Sequence, residues 1–562
     1  MFHSKINLMM KNIKSFLVGF PILLTTLASC ESFTEINNSV ATVYDIEPVT
    51  MLYQVQNNAQ GAGSTWTDSY ACKLRWMQYC SNIWGYSQTN FTYFSGSIGS
   101  DLYKEYINMG GYARHIEYYI TSRNEADLPQ YSNLIEVARI MLIYKGIATS
   151  DMYGSLVYTD GWGLRSGKPE LDKPKYESQE VLFDIWDKEL KEAINKMKTA
   201  SNQKSLVGYD LAYNGEITRW IKAANGLRLR IATRLLKRNP DKAKAIATEV
   251  LASDIMSENK DGLILKFDKL YTEKGDWHSV IDMDRASAPF MEYLTKYEDP
   301  RKRIYFQINN LTPENIATFN SQQTDPKKMI PTDFTRWEGG TVSFDERASD
   351  KRYTSQSLKD GTDMRAMNKP QTRLWKGMQD KGSGGSWFPL LTYADFCFMA
   401  SEFVLENVPS SQSAQAWYEA GVKSSLSQWS EIGDYCKINE YEAITNDEIS
   451  RFIAQEGIAW NPSIAKEQIY CQAYVEHFKN NNEAWTLWRR TGYPNQQSQI
   501  VTFDKVMINN SEQQVPRRVR FSYPVEGIPN YENKYSSIEE MTKNPEFGQV
   551  VDEFGRHWWD KK

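Results

Sequence analysis

Along most of the chain the apolar residues recur every three or four positions. The clearest case is Ile217, Trp220, Ala224, Leu227, Ile231 and Leu235, with spacings of 3, 4, 3, 4 and 4. Arg219, Arg228, Arg230 and Arg234 fall mainly on other faces, so the spacing predicts an amphipathic helix. Pro240 ends that pattern and opens a second helix, because proline fits a first helical turn. Similar patterns predict helices at about 131–150, 177–198, 390–406, 412–428 and 464–479. Short polar turns join neighbours, as in antiparallel helix hairpins. No clean 34-residue period appears, so stacked pairs of tetratricopeptide type would be degenerate. Two stretches break the pattern: residues 61–110, rich in Gly, Ser and aromatics, and residues 268–388, with Gly, Pro, Asp, Lys and scattered Trp. Loops of that length usually carry function or wrap a surface. The expected fold class is mainly α, a helix-hairpin scaffold carrying long irregular loops.

The first residues follow a different rule. Lys5, Lys11 and Lys14 precede an apolar run from Phe16 to Leu24, and no acid comes before Glu31. The run is shorter than the roughly 20 apolar residues a spanning helix needs, and reads as a secretory signal. Leu27-Ala28-Ser29-Cys30 resembles a bacterial lipobox, which makes Cys30 the expected lipidation site and residues 1–29 a signal peptide. Each buried acyl CH2 contributes about 0.8 kcal/mol, so several chains anchor a protein firmly. An ordinary secretory signal with a chance cysteine is the alternative. Loss of three lysines moves the formal charge from −5 to −8. An acidic body is a poor partner for nucleic acid.

Charged residues at 24% and hydrophobic ones at 41% are ordinary globular values, but aromatics reach 13%, with 17 Trp and 33 Tyr. That surplus hints at binding surfaces. Five cysteines follow Cys30: Cys72, Cys80, Cys397, Cys436 and Cys471. The odd number leaves at least one unpaired, and a Cys72–Cys80 bridge stays open. There is no CxxC pair, H-E-x-x-H, G-x-S-x-G or phosphate-binding loop motif. No catalytic residues are assigned and no enzyme is expected. Carboxylate counts alone do not rule out a glycosidase pair. No cofactor is called for, and no D-x-D-x-D-G run supports a calcium ion.

Several segments then carry a resemblance. "DMYGSLVYTDGW" from Asp151, "KPKYESQEVLFDIWDKELKEAI", "DLAYNGEITRWIKAANGLRLRIATR", "LLTYADFCFMASEF", "WTLWRRTGYP", "RRVRFSYPVEGIPNYENKY" and the closing "HWWD" resemble, in order, the signature segments of the SusD/RagB family of nutrient-binding outer-membrane lipoproteins of Bacteroidetes. Val157 stands where that family favours proline and Asp395 where it favours glutamate, positions expected in a turn and on a helix surface. The resemblance implies a single SusD-like helical domain over 30–562, with loop insertions at about 61–110 and 268–388. It also implies a SusC-like TonB-dependent transporter as partner, a lid-like role on it, and a place at the cell surface on the outer membrane.

The candidate ligand residues are loop aromatics with neighbouring polar groups. Trp66, Arg75, Trp76, Trp84, Tyr86 and Tyr93 lie in the early loop; Trp277, Arg336, Trp337 and Trp387 lie in the middle one. Ring faces stack on sugar C–H surfaces or on peptide side chains, and amides or guanidinium groups bond their polar edges. Trp76 and Tyr79, three apart, fit a buried helical face equally well. Arg489 and Arg490 read as cations closing a helix before Gly492, and Trp558 and Trp559 as pins for the tail. Three roles stay open: an oligosaccharide binder, an oligopeptide binder, or a structural lid with little affinity of its own.

Overall fold

The computed structural model describes residues 46–59, 72–82, 100–267, 284–354, 356–376 and 385–562. The chain divides into a unit of Met1–Thr50 and a unit of Met51–Lys562. In the first, Pro48–Thr50 form one 3-10 turn. All that follows concerns the second.

Its helices are α1 (Met51–Asn57), α2 (Ser100–Asn124), α3 (Ser132–Tyr153), α4 (Gln179–Thr199), α5 (Ile217–Leu235) and α6 (Pro240–Leu251). After them come α7 (Ala288–Lys296), α8 (Pro313–Ser321), α9 (Tyr393–Leu405), α10 (Ala414–Cys436), α11 (Asn446–Ile453), α12 (Ala465–Glu476), α13 (Asn481–Thr491) and α14 (Tyr531–Thr542). The periodic segments all appear as helices, so the mainly α scaffold is present. Consecutive helices pack from α2 through α6, and α9 packs on α10 and α12. Caps explain the boundaries. Asn239 accepts from the amide of Lys242 with Pro240 in the first turn, Ser413 caps α10, and Gly492 closes α13 at φ +79°.

Three small antiparallel ladders interrupt the helices: β1 (Cys80–Asn82) with β3 (Asp284–Ala286), β2 (Leu263–Phe267) with β4 (Ser386–Leu391), and β5 (Met507–Ile508) with β6 (Ser511–Glu512). Strand β4 runs into α9 through Thr392, whose hydroxyl and Asp395 form a reciprocal capping box. Gly226 lets α5 lie close against β4, since a Cβ there would sit 2.7 Å from Leu391 Cδ2.

Helix α5 departs from the amphipathic expectation: Arg228, Arg230 and Arg234 are buried. Neighbouring helices supply their counter-charges. Arg234 meets Asp151 of α3 at 3.0 Å and Glu483 of α13 at 2.8 Å. Arg230 lies 3.6 Å from Glu483 and 3.5 Å from Asp395. Asp395 also takes His477, so it is an interior cap rather than the surface position expected. Arg490 forks onto Glu402 of α9, which also accepts from Tyr470. Arg489 donates to the carbonyls of Asp151 and Arg517 at 2.6 and 2.7 Å. These two arginines do close α13, but as buried ties between segments. The cavity among these groups is only about 30 Å³, room for ordered water and no nutrient. Burial raises the Glu483 carboxyl, but Arg230 and Arg234 prevail and hold it at about 2.

The five described cysteines are buried, and Cys72 and Cys80 are not bridged to each other. Trp559 is buried and the carbonyl of Trp558 accepts from Arg238 at 2.6 Å, fixing the tail as expected. The stretches read as irregular are partly ordered: α2 begins at Ser100, and α7 and α8 lie within 268–388. No helix among the described residues is long and apolar enough to cross a membrane.

Two predictions follow from buried charge. Glu402→Gln strands the Arg490 cation and should cost about 3–5 kcal/mol in urea unfolding. Glu402→Met with Arg490→Met should recover most of that loss, because removing both members of a buried pair is far cheaper than removing one. Asp284, in β3, is fully buried, and among the described residues neither carboxylate oxygen has a hydrogen bond. Burial pushes it up to about 7 against the pull of Arg75, Arg285 and Arg347. A raised folded value means its stability contribution is complete below 3.8, the ordinary value, and is lost as pH rises through about 7. Asp284→Asn should therefore raise Tm relative to the parent more at pH 8 than at pH 4, by at least about 2 °C. An equal change at both pH values would count against an uncompensated buried carboxyl.

Candidate ligand-binding site

The structure divides the expected ligand residues. Trp76 is 1% exposed and lies 5.9 Å from the ring of Trp485. Tyr79, three residues on, is also buried and stacks on Tyr474 at 4.4 Å, so this pair forms the interior face. Arg75 is buried with its Nε 3.9 Å from Asp284. Trp387 is 3% exposed; its strand position puts it under Tyr435 of α10 and beside Lys266. Ligand contact expected from Arg75, Trp76 and Trp387 gives way to core packing, because helix and strand cover all three. Cys30, Trp66, Trp84, Tyr86, Tyr93 and Trp277 lie outside the described residues.

Arg336 and Trp337 are at the surface. Trp337 is half-buried: it packs on the core and borders a cavity of about 390 Å³. Its loop is held by side chains from two other segments. Asn309 donates to the carbonyl of Thr335 at 3.1 Å, and Asn368 donates to the carbonyl of Arg336 at 2.9 Å. The amide of Glu338 donates back to Asn368 Oδ1 at 2.6 Å. The guanidinium of Arg336 is spent on the carbonyl of Asn309, at 3.0 and 2.9 Å, so it steadies the loop. Gly339 follows, where a Cβ would run into the carbonyl of Ser287. That close approach fastens the Trp337 loop to the residue after β3, where Ser287 and Gly340 form a parallel bridge.

The other walls come from the chain after α7 and from α11. Lys302 places its ammonium 5.1 Å from the Trp337 ring centre. Burial lowers its pKa, against Asp299 and Glu298. Arg303 forks onto Glu448 at 2.9 and 3.0 Å, and that carboxylate also completes the capping box of α11 with Thr445. Gln455 donates to the carbonyl of Tyr297 at 2.7 Å. The Arg451 guanidinium and Glu298 carboxylate line the cavity, and neither forms an ion pair among the described residues. The result is a flat ring on a rigid loop, edged by charges of both signs. The rings of Trp337 and Phe452, several charged groups and the Gln455 amide surround the cavity, and among the described residues no group of three His, Cys, Asp or Glu could hold a metal ion.

Sequence reading missed Lys302, Arg303, Glu448, Arg451 and Gln455. The cationic run Arg301-Lys302-Arg303 and the "RWEGG" around Trp337 carried a signal; α11 carried none, since about 150 residues separate it from Lys302. The β1–β3 register adds a geometric fact. Asn82 faces Asp284 at the last rung. That point lies three residues before Ser287, the anchor of the Trp337 loop.

Comparison with known proteins agrees with this fold. A family described as SusD-like, "Starch-binding associating with outer membrane", matches residues 38–524. No curated protein matches the sequence. Among solved structures, a SusD-like protein from Bacteroidetes AC2a superposes with a TM-score of 0.68 at 19% identity, over 92% of this chain and 100% of that one. A SusD homolog from Bacteroides fragilis gives 0.67 at 18%, with the same coverage. A chitin-binding SusD homolog from Flavobacterium johnsoniae gives 0.62 at 20%, over 92% and 98%. These likenesses are likenesses of fold, and the family match spans most of the helical body. The chain belongs to the SusD-like family.

Proposed function

We propose that this protein is a lipid-anchored nutrient binder of the outer-membrane surface that captures oligosaccharides at the Trp337 cavity and delivers them to a SusC-like TonB-dependent transporter, as its lid. The observation that carries the reading is Trp337, a half-buried ring on a side-chain-braced loop beside a 390 Å³ cavity. A ring fixed before binding loses little freedom when a sugar stacks on it. The family description names starch binding and outer-membrane association, and one structural relative is titled chitin-binding. Cys30 supplies the anchor in this reading. The ligand is held and released unchanged, with no bond broken.

A peptide ligand is the second reading. Arg451 and Glu298 give the cavity rim charges of both signs, which suit a peptide's termini and side chains. A lid with no affinity of its own is the third. Calorimetric titration with neutral oligosaccharides and with oligopeptides separates them. Trp337→Ala should weaken oligosaccharide binding by about 2 kcal/mol, or roughly 30-fold, in protein that still unfolds cooperatively. Binding to peptides alone would favour the second reading, and unaltered affinity in the variant would sink the Trp337 site.

A further inference from the structure

A second cavity, of about 620 Å³, lies between the end of α13, residues 495–515 and the C-terminal tail. Trp488, Phe503 and Phe554 contribute rings, and Gln497, Gln513 and Gln514 contribute amides. Much of this wall is exposed, so hydrophobic burial does not account for its shape. Side chains from distant segments hold its backbone instead. Glu467 accepts from the amides of Gln499 and Ile500. Gln78 exchanges two hydrogen bonds with the backbone of Asp504, at 2.7 and 2.9 Å. The Ser343 hydroxyl donates to the carbonyl of Lys505 at 2.6 Å and accepts from the amide of Met507 at 3.1 Å. Asp345 accepts from the amides of Asn509 and Asn510 at 2.8 and 2.7 Å.

The cavity's guanidinium groups are already tied to a shared carboxylate. Arg517 and Arg556 both pair with Asp560, at 2.6 and 2.9 Å, and Arg517 lies 4.9 Å from the Trp488 ring centre. The exposed Asp504 carboxylate at its rim disfavours an anionic guest. By contrast, the side-chain amides of Gln497 and Gln514 and the indole N–H of Trp488 make no hydrogen bond among the described residues. An uncommitted primary amide offers a donor and an acceptor side by side, as a sugar hydroxyl requires. The adjoining rings offer apolar surface for the sugar's C–H face.

We propose that this cavity is a second saccharide subsite, taking a neutral hydroxyl- or acetamido-bearing sugar, distinct from the Trp337 cavity. It shares with the reading above only the ligand class. The test labels the full mature chain with fluorotryptophan and identifies the Trp488 and Trp337 fluorine resonances with Trp488→Phe and Trp337→Phe. Chitohexaose, maltohexaose and mannohexaose are then titrated in turn. At least one should move the Trp488 resonance saturably, and should still do so in the Trp337→Phe protein. Gln497→Ala with Gln514→Ala should weaken that response by about fivefold or more and leave the Trp337 response unchanged. A Trp488 resonance unmoved by all three sugars up to about 10 mM overturns the proposal, as does one that moves only with hexaglycine. Movement of Trp337 without Trp488 removes the second subsite alone; movement of Trp488 without Trp337 removes the first.

Discussion

Arg234, inside α5, is the point on which the helical body turns. Its guanidinium joins Asp151 and Glu483, residues that lie 83 positions before it and 249 after it. Both of its carboxylate partners come from other helices, so this pairing ties α3, α5 and α13 together. Arg230 with Asp395, and Arg490 with Glu402, extend the same logic to α9. Hydrophobic packing would let these helices slide against one another; paired buried charges admit far fewer registers. Buried ion pairs are weak sources of net stability, but losing one partner is severe.

That frame sets the ligand cavity at one remove. Helix α9 is tied into the ionic centre and begins where β4 ends, at the Thr392 cap. On the other side, the β1–β3 ladder and Ser287 carry the Trp337 loop, whose backbone is satisfied by Asn309 and Asn368. Rigid support matters because stacking and hydrogen bonding in water are individually small gains. They survive as affinity only where ring and polar groups are ordered beforehand.

The helices were legible because burial repeats with the helical period, and their ends because proline, serine, asparagine and glycine cap them. Charge placement was not: Arg230 and Arg234 look like a polar face until Asp151, Asp395 and Glu483 are brought in from elsewhere. The segments that resemble the family supply much of this interior, Asp151 from "DMYG", Asp395 and Glu402 from "YADFCFMASE", Arg489 and Arg490 from "WRR". Such signatures report the frame and say little about the ligand. For the site, aromatic density alone did not separate Trp337 from Trp76 and Trp387, since composition carries no information on what covers a ring. Arg451 and Gln455 needed the fold itself, because α11 has no motif.

The central claim is that a charge-keyed frame stays fixed while its braced surface loop holds the nutrient. Amide hydrogen exchange with and without a saturating oligosaccharide tests it most directly. Protection should appear in residues 335–340 and 448–455, with α5 and α12 unchanged. Protection spread through those core helices, or absent from the Trp337 loop, would contradict it.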